Sequence, residues 1–195
     1  MYHSTRIENG IVNLEIIKID IYIFVCRKGN NMKKVIYSAE ELTSKQKLSL
    51  AETSTDPRQL SRLADDEYWA VRDEVARNPN TPPEVLAKLT DDKNSDVRYG
   101  ITRNPNTPPE VLAMLSDDVN EDVRYDIAKH PNTPPEVLAK FADAKYWIVR
   151  EWVAKHPNTP PEVLAKLADD EEEDVRWSVA ENPNTPSEAL AKLER

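Results

Sequence analysis

The chain has 195 residues, 39% of them apolar and 31% charged, with a formal net charge of −9; that is long enough for one domain with a sizeable core, yet lean in apolar content for a compact two-layer globule. The charge is uneven: residues 1–50 carry eight Lys/Arg against five Asp/Glu and residues 51–195 carry eighteen against thirty, so the larger part repels phosphate backbones and anionic headgroups and disfavours nucleic acid or a membrane as partner. The single cysteine, Cys26, excludes an intramolecular disulfide framework and a multi-thiolate metal site within one chain; with no convincing export signal, this favours the cytoplasm.

The front of the chain differs from the rest, because every proline lies at or after Pro57. Ile11 to Cys26, IVNLEIIKIDIYIFVC, is isoleucine-rich and partly alternating, which predicts a strand or two. Glu15, Lys18 and Asp20 interrupt it, leaving it far short of the roughly 20 apolar residues of a membrane span. Met32-Lys33-Lys34 reads like a bacterial start, so residues 1–31 are expected to be an upstream, misassigned extension, which mass spectrometry of the native N-terminus would decide. Residues 1–37 are thus read as a strand-like extension. Ser38 to Glu41 forms an S-x-x-E capping box and predicts a helix over 38–51.

Residues 52–195 are periodic. Units of 26 residues begin at Glu52, Asn78, Asn104, His130, His156 and Asn182, five complete and the last half-length. A constant period of this length marks stacked supersecondary units, none able to bury its apolar face alone. The string NPNTPPEVLAKL at Asn78 supplies the punctuation. Asn-Pro ends one helix, since proline disfavours the α region in the residue before it. Thr81 is expected to cap the next helix, with proline in its first turn and Glu84 completing a capping box; Thr107, Thr133 and Thr159 repeat the arrangement. Val85, Leu86 and Leu89 form one apolar stripe, and Val97 and Ile101 form another on a second helix; in the first unit Gln59 replaces the valine. Helices of about eight residues are marginal alone, so stacking must stabilise them.

The phased string NP-N-TPPE-VLAKL, followed by D…VR…VA, resembles the variant leucine-rich repeat family of bacteria over Glu52 to Arg195. That resemblance implies a right-handed superhelix of short α and 3₁₀ helices without a sheet: an all-α, HEAT-like right-handed solenoid. The unit here is slightly longer than the family's usual one, which predicts that both helices are fully α. Founding members also carry an iron–sulfur cluster held by several N-terminal cysteines; with Cys26 alone, no cluster or other cofactor is carried over.

Three recurrent features read as architecture. Asp65 and Arg72, and likewise Asp91/Arg98, Asp117/Arg124, Asp143/Arg150 and Asp169/Arg176, lie seven apart and are expected to tie turns to helices within or between units. His130 and His156 stand where Asn78 and Asn104 stand in other units, at a helix end whose dipole suits imidazole. Rungs about 10 Å apart keep them from forming a zinc site. The polyproline-like Pro79-x-x-Pro82 is accounted for by helix boundaries.

No catalytic constellation is present: there is no glycine-rich phosphate loop and no serine or cysteine in phase with a histidine. Function in a stack concentrates where the units differ. The positions flanking Val-Arg vary, and they hold Tyr68, Trp69, Tyr99, Tyr125, Tyr146, Trp147, Trp152 and Trp177. Tryptophan and tyrosine rimmed by charge are typical interface anchors, although such rings also fill seams between rungs. The fourth unit, with Ala144, Tyr146, Trp147, Ile148 and Trp152, is the expected hot spot. The sequence therefore reads as a non-enzymatic scaffold for a protein partner with a basic face. The alternatives are a nucleic-acid-binding HEAT-like solenoid and an accessory protein for cofactor attachment on another protein. Self-association through the half-unit ending at Leu193-Glu194-Arg195 is a further expectation.

Overall fold

The computed structural model describes residues 11–12, 21–28, 31–38 and 42–193. The chain divides into two units, Met1–Ser49 and Leu50–Arg195. In the first, strands β1 (Ile11–Val12), β2 (Ile21–Lys28) and β3 (Asn31–Ser38) form an antiparallel sheet in that order. Ile11 pairs with Phe24, and β2 and β3 run in register from Ile21 opposite Ser38 to Lys28 opposite Asn31. The expected strand character of Ile11 to Cys26 is seen on its described part; residues 13–20 lie outside the described residues.

The helix expected from Ser38 begins later. Ser38 is the last residue of β3, Glu41 lies outside the described residues, and α1 spans Ser44–Thr53. Its capping box is Thr43-x-x-Gln46: the Thr43 N–H and hydroxyl both donate to Gln46 Oε1, at 2.9 and 2.8 Å. Gln46 at the third helical position reaches back as the motif requires, and Glu41 is too early in the chain to do so.

From Leu50 onward the described residues are all-α, two helices to a unit. They are α2 (Pro57–Leu63) and α3 (Trp69–Arg77), α4 (Pro83–Leu89) and α5 (Ser95–Arg103), α6 (Pro109–Met114) and α7 (Glu121–Lys129). Next come α8 (Pro135–Phe141) and α9 (Trp147–Lys155), α10 (Pro161–Leu167) and α11 (Glu173–Glu181), then α12 (Ser187–Leu193). The expected fully α units are seen, except that α6 runs on into a 3₁₀ turn at Leu115–Asp117. Second helices form a row, α3 on α5, α5 on α7, α7 on α9 and α9 on α11.

The stripes become columns through the stack. Leu60, Leu86, Leu112, Leu138 and Leu164 are fully buried, as are Val75, Ile101, Ile127, Val153 and Val179. Burying each such side chain contributes about 1.5–3 kcal/mol, and no helix here is long enough to stand without that contribution. Gln59, the departure in the first unit, is buried too, and accepts a hydrogen bond from the Ser54 hydroxyl at 2.5 Å.

The threonines act differently from the expectation. Pro82, Pro108, Pro134 and Pro160 occupy the N-cap positions, with no side-chain cap bond. Thr81, Thr107, Thr133 and Thr159 lie one residue further out, buried, and donate their hydroxyls back to Val75, Ile101, Ile127 and Val153 carbonyls. With proline filling both the cap and the first helical position, the threonine falls out of reach of the following helix and instead adds a second donor to a last-turn carbonyl of the preceding one, which already accepts the N–H of Asn78, Asn104, His130 or His156. Among the first helices α2, α4, α6, α8 and α10, only α2, where aspartate stands at the cap, has a side-chain cap bond: Asp56 accepts from the Arg58 N–H at 3.0 Å.

The asparagines join unit to unit. Asn104 Nδ2 donates to the Ala76 and Asn78 carbonyls, at 2.9 and 2.7 Å, while its Oδ1 accepts from the Asn106 N–H at 3.0 Å. Asn78 and Asn182 do the same toward the units before them. His130 and His156 take this role with imidazole: Nδ1 accepts from the Asn132 or Asn158 N–H, and Nε2 faces the Asn104 or His130 carbonyl at 2.9 Å. The ring is therefore neutral, with its proton on Nε2, and burial pushes both histidines below the usual imidazole value. They are held as neutral bridges, not as cations on a helix dipole. The second asparagine of each turn reinforces the link, as when Asn106 Nδ2 donates to Pro79 O at 2.8 Å.

Candidate functional site

The arginine–aspartate ladder is inter-unit and differs in its pairing from the expected seven-residue spacing. Arg72, Arg98 and Arg150 bond Asp92, Asp118 and Asp170 of the next unit, Nε to one carboxylate oxygen and Nη2 to the other. Nη1 meanwhile reaches back to a carbonyl of its own unit, Asp66, Asp92 or Ala144. Burial of Asp92, Asp118 and Asp170 would raise their pKa, but the arginine hydrogen bond, a backbone N–H and the guanidinium charges outweigh it and hold all three below the usual aspartate value. The earlier aspartates, Asp65, Asp117, Asp143 and Asp169, instead meet Lys88, Lys140, Lys166 and Lys192 of the following unit. These are exposed pairs, worth little each. Met114 stands where the lysine opposite Asp91 would be, and is itself exposed.

Of the eight aromatic candidates, five reach solvent: Tyr68, Trp69, Tyr146, Trp147 and, most of all, Trp177 at 58% exposed. Tyr99, Tyr125 and Trp152 are half-buried along the row of second helices. The Tyr125 and Trp152 rings pack edge to face with centroids 6.4 Å apart, and Trp152 Nε1 donates to Tyr125 Oη at 3.2 Å. Lys129 Nζ lies about 5 Å from both rings, and Tyr99 is flanked by Arg77 and Arg103. These three rings bridge neighbouring units.

The exposed pairs share one place in the unit. Tyr68 and Tyr146 are the N-cap residues of α3 and α9, with Trp69 and Trp147 opening those helices. In the intervening units this position is Asn94 or Asn120, whose side chain accepts the N–H of Asp96 or Asp122. Neither tyrosine makes a cap bond. Exchanging a capping asparagine for such a residue costs about 1 kcal/mol, and each exchange here places a tyrosine–tryptophan pair in solvent. Tyr68 and Trp69 stand edge to face at 6.1 Å. The sequence reading did not use this contrast, although asparagine against tyrosine at one repeat position is visible in the letters.

The fourth unit carries the larger surface. Ile148 is exposed beside Tyr146 and Trp147, and a cavity of about 330 Å³ lies against Tyr146 and Ile148, lined also by Asp122, Arg124, Tyr125, Ala144 and Val149. Glu121 also lines it and hydrogen-bonds Tyr146, which raises the tyrosine above its usual pKa. Among the described residues no group of three or more His, Cys, Asp or Glu is placed to hold a metal ion, and no helix is long and apolar enough to cross a membrane.

Residues 69–94 and 147–172 match the model of the leucine rich repeat variant family. Both stretches open on the exposed tryptophan of a second helix. A solved structure described as a leucine-rich repeat variant with a novel repetitive structural motif is similar at 28% identity and a TM-score of 0.56, covering 70% of this chain; the present chain spans 55% of that one. An engineered protein is similar at 17% identity and a TM-score of 0.44, over 80% of this chain and 93% of its own. A designed armadillo repeat protein in complex with the peptide (KR)4 is similar at 20% identity and 0.35, over 77% and 73%. No curated protein matches. Two stretches of the array, each one repeat long, thus match the leucine rich repeat variant model, and the helical stack as a whole is similar in fold to a solved variant repeat.

Proposed function

We propose that this solenoid is a non-catalytic scaffold that binds a protein partner along the edge formed by the turns between the two helices of each unit. Tyr146, Trp147 and Ile148 are its principal anchors, and Tyr68 and Trp69 a second contact. The observation that carries this reading is the exchange at the N-cap: where Asn94 and Asn120 close the helix, Tyr68 and Tyr146 leave it unclosed and stand in solvent. Large exposed rings that forgo a stabilising bond are better suited to an interface than to a monomer surface. The net charge of −9 favours a partner with a basic face, and the single cysteine suits a cytoplasmic setting.

The test is affinity capture from the native lysate with the wild-type chain and with Tyr146→Ala/Trp147→Ala, each first checked for unchanged helix content by circular dichroism. A protein retained by the wild type and lost by the folded variant supports the reading. Equal retention by both, or retention of nothing by either, counts against it.

A further inference from the structure

Of Arg72, Arg98, Arg124 and Arg150, the four ladder arginines with a residue twenty positions on, one has no aspartate there. In the complete rungs, one carboxylate collects three N–H donors: Nε and Nη2 of the preceding unit's arginine and a backbone N–H two residues on. For Asp118 these are Arg98 Nε at 2.5 Å, Arg98 Nη2 at 3.0 Å and the Asn120 N–H at 2.8 Å. Asp92 and Asp170 have the same three donors. The residue twenty positions beyond Arg124 is Ala144. Arg124 keeps its bond from Nη1 to the Asp118 carbonyl, so the guanidinium is held as in the other units. Among the described residues its Nε has no acceptor; the nearest carboxylate to Nη2 is that of half-exposed Glu121 at 3.8 Å, and the Tyr146 N–H has no side chain at 144 to receive it. The 330 Å³ cavity opens at this rung, with Tyr146 and Ile148 beside Ala144.

We propose that this cavity receives an aspartate or glutamate side chain of the protein partner, its carboxylate taking the place that Asp92, Asp118 and Asp170 fill elsewhere in the stack. An apolar neighbour of that residue rests on Tyr146 and Ile148. The inference rests on the protein-binding reading above and gives the partner's chemistry at its centre: an acidic residue beside an apolar one. The bidentate fork of arginine with a third donor from the backbone is a geometry matched to carboxylate. Glu121 and Asp122 also line the cavity and repel a carboxylate that is not seated on the arginine fork, so the rung also supplies selectivity. Glu121 is the competitor, loosely paired and screened by solvent.

The experiment follows the Nε–Hε signal of Arg124 in nitrogen-15 spectra of the full chain, assigned by its loss in Arg124→Lys. The probe is acetyl-Leu-Asp-Leu-amide, with acetyl-Leu-Asn-Leu-amide as control. A single charge-assisted contact plus apolar burial gives millimolar affinity, so titration runs into that range. The proposal expects a saturable shift with the aspartate peptide and none with the asparagine peptide. Glu121→Gln tightens binding several-fold. Ala144→Asp places the signal at the paired position seen for Arg98, abolishes the response and raises the unfolding midpoint. A silent Arg124 signal, an equal response to both peptides, or an undiminished response in Ala144→Asp overturns it. The probe has a defined composition, so failure here leaves capture through Tyr146 and Trp147 as a separate result, and loss of capture leaves this titration readable.

Discussion

Replacing Asn104 by alanine and by histidine separates the two halves of its role. Asn104 is fully buried and donates to two carbonyls of the preceding unit while accepting one N–H of its own turn. At about 1 kcal/mol net for each hydrogen bond, alanine costs about 3 kcal/mol; the Asn78 carbonyl keeps the Thr81 N–H, at 3.0 Å, as a donor. Histidine is the protein's own substitute: at positions 130 and 156 it keeps the turn N–H and one bridge to the preceding unit. Asn104→His therefore loses one bond, about 1 kcal/mol at neutral pH. It also acquires an acid sensitivity that asparagine lacks. Urea unfolding followed by circular dichroism, at neutral pH and at about pH 5.5, reads both effects. An alanine variant costing under about 1 kcal/mol, or a histidine variant as costly as alanine, would refute the claim that this side chain links the units.

Protonation gives a second handle. Burial holds His130 and His156 below the imidazole value of the unfolded chain, so their contribution is whole above about pH 6.5 and is lost as pH falls from there, at up to about 1.4 kcal/mol per pH unit per histidine. His130→Asn/His156→Asn flattens that part of the profile and leaves the separate loss that sets in below about pH 4 as the ladder aspartates protonate; an unchanged slope in calorimetric scans across mildly acidic pH speaks against neutral bridging. Arg98→Ala strands the Asp118 carboxylate, 3% exposed, and costs about 3 kcal/mol. Arg124→Ala, with no such carboxylate to strand, costs about 1 kcal/mol by the same denaturation. Tyr146→Asn restores the cap that Asn94 and Asn120 make, raising stability by about 1 kcal/mol while weakening partner retention. If it stabilises nothing, the exchange at the cap is not what the tyrosine forgoes.

Local signals were legible in the sequence and distant ones were not. Proline spacing marked where each second helix ends and the next first helix begins, and the stripes at Val85, Leu86, Leu89, Val97 and Ile101 became buried columns. Thr81 was read as a cap because N-cap rules look forward along the chain, whereas its hydroxyl reaches back six residues to Val75. Arg72 could not be paired correctly because its aspartate is twenty residues away, across an inter-unit seam that only the stack creates. In the same way, residue type alone could not tell Trp152, hydrogen-bonded to Tyr125 between units, from Trp147 in solvent. The fourth unit stands out in the letters because Ala144, Ile148 and Trp152 depart from the acidic pattern beside Tyr146 and Trp147. The structure adds a physical content to that departure, since Ala144 stands where Asp92, Asp118 and Asp170 complete the rungs of Arg72, Arg98 and Arg150.

The most direct test of the account places a photo-crosslinking residue, p-benzoylphenylalanine, at Trp147 and, as a control, at Glu162, an exposed position on α10 away from the aromatic edge. The chain is expressed in the cells that produce it and irradiated. The account predicts a discrete protein adduct from position 147, absent from position 162 and reduced by Tyr146→Asn. Equal adducts from both positions, or none from 147 while the folded chain is abundant, would contradict it.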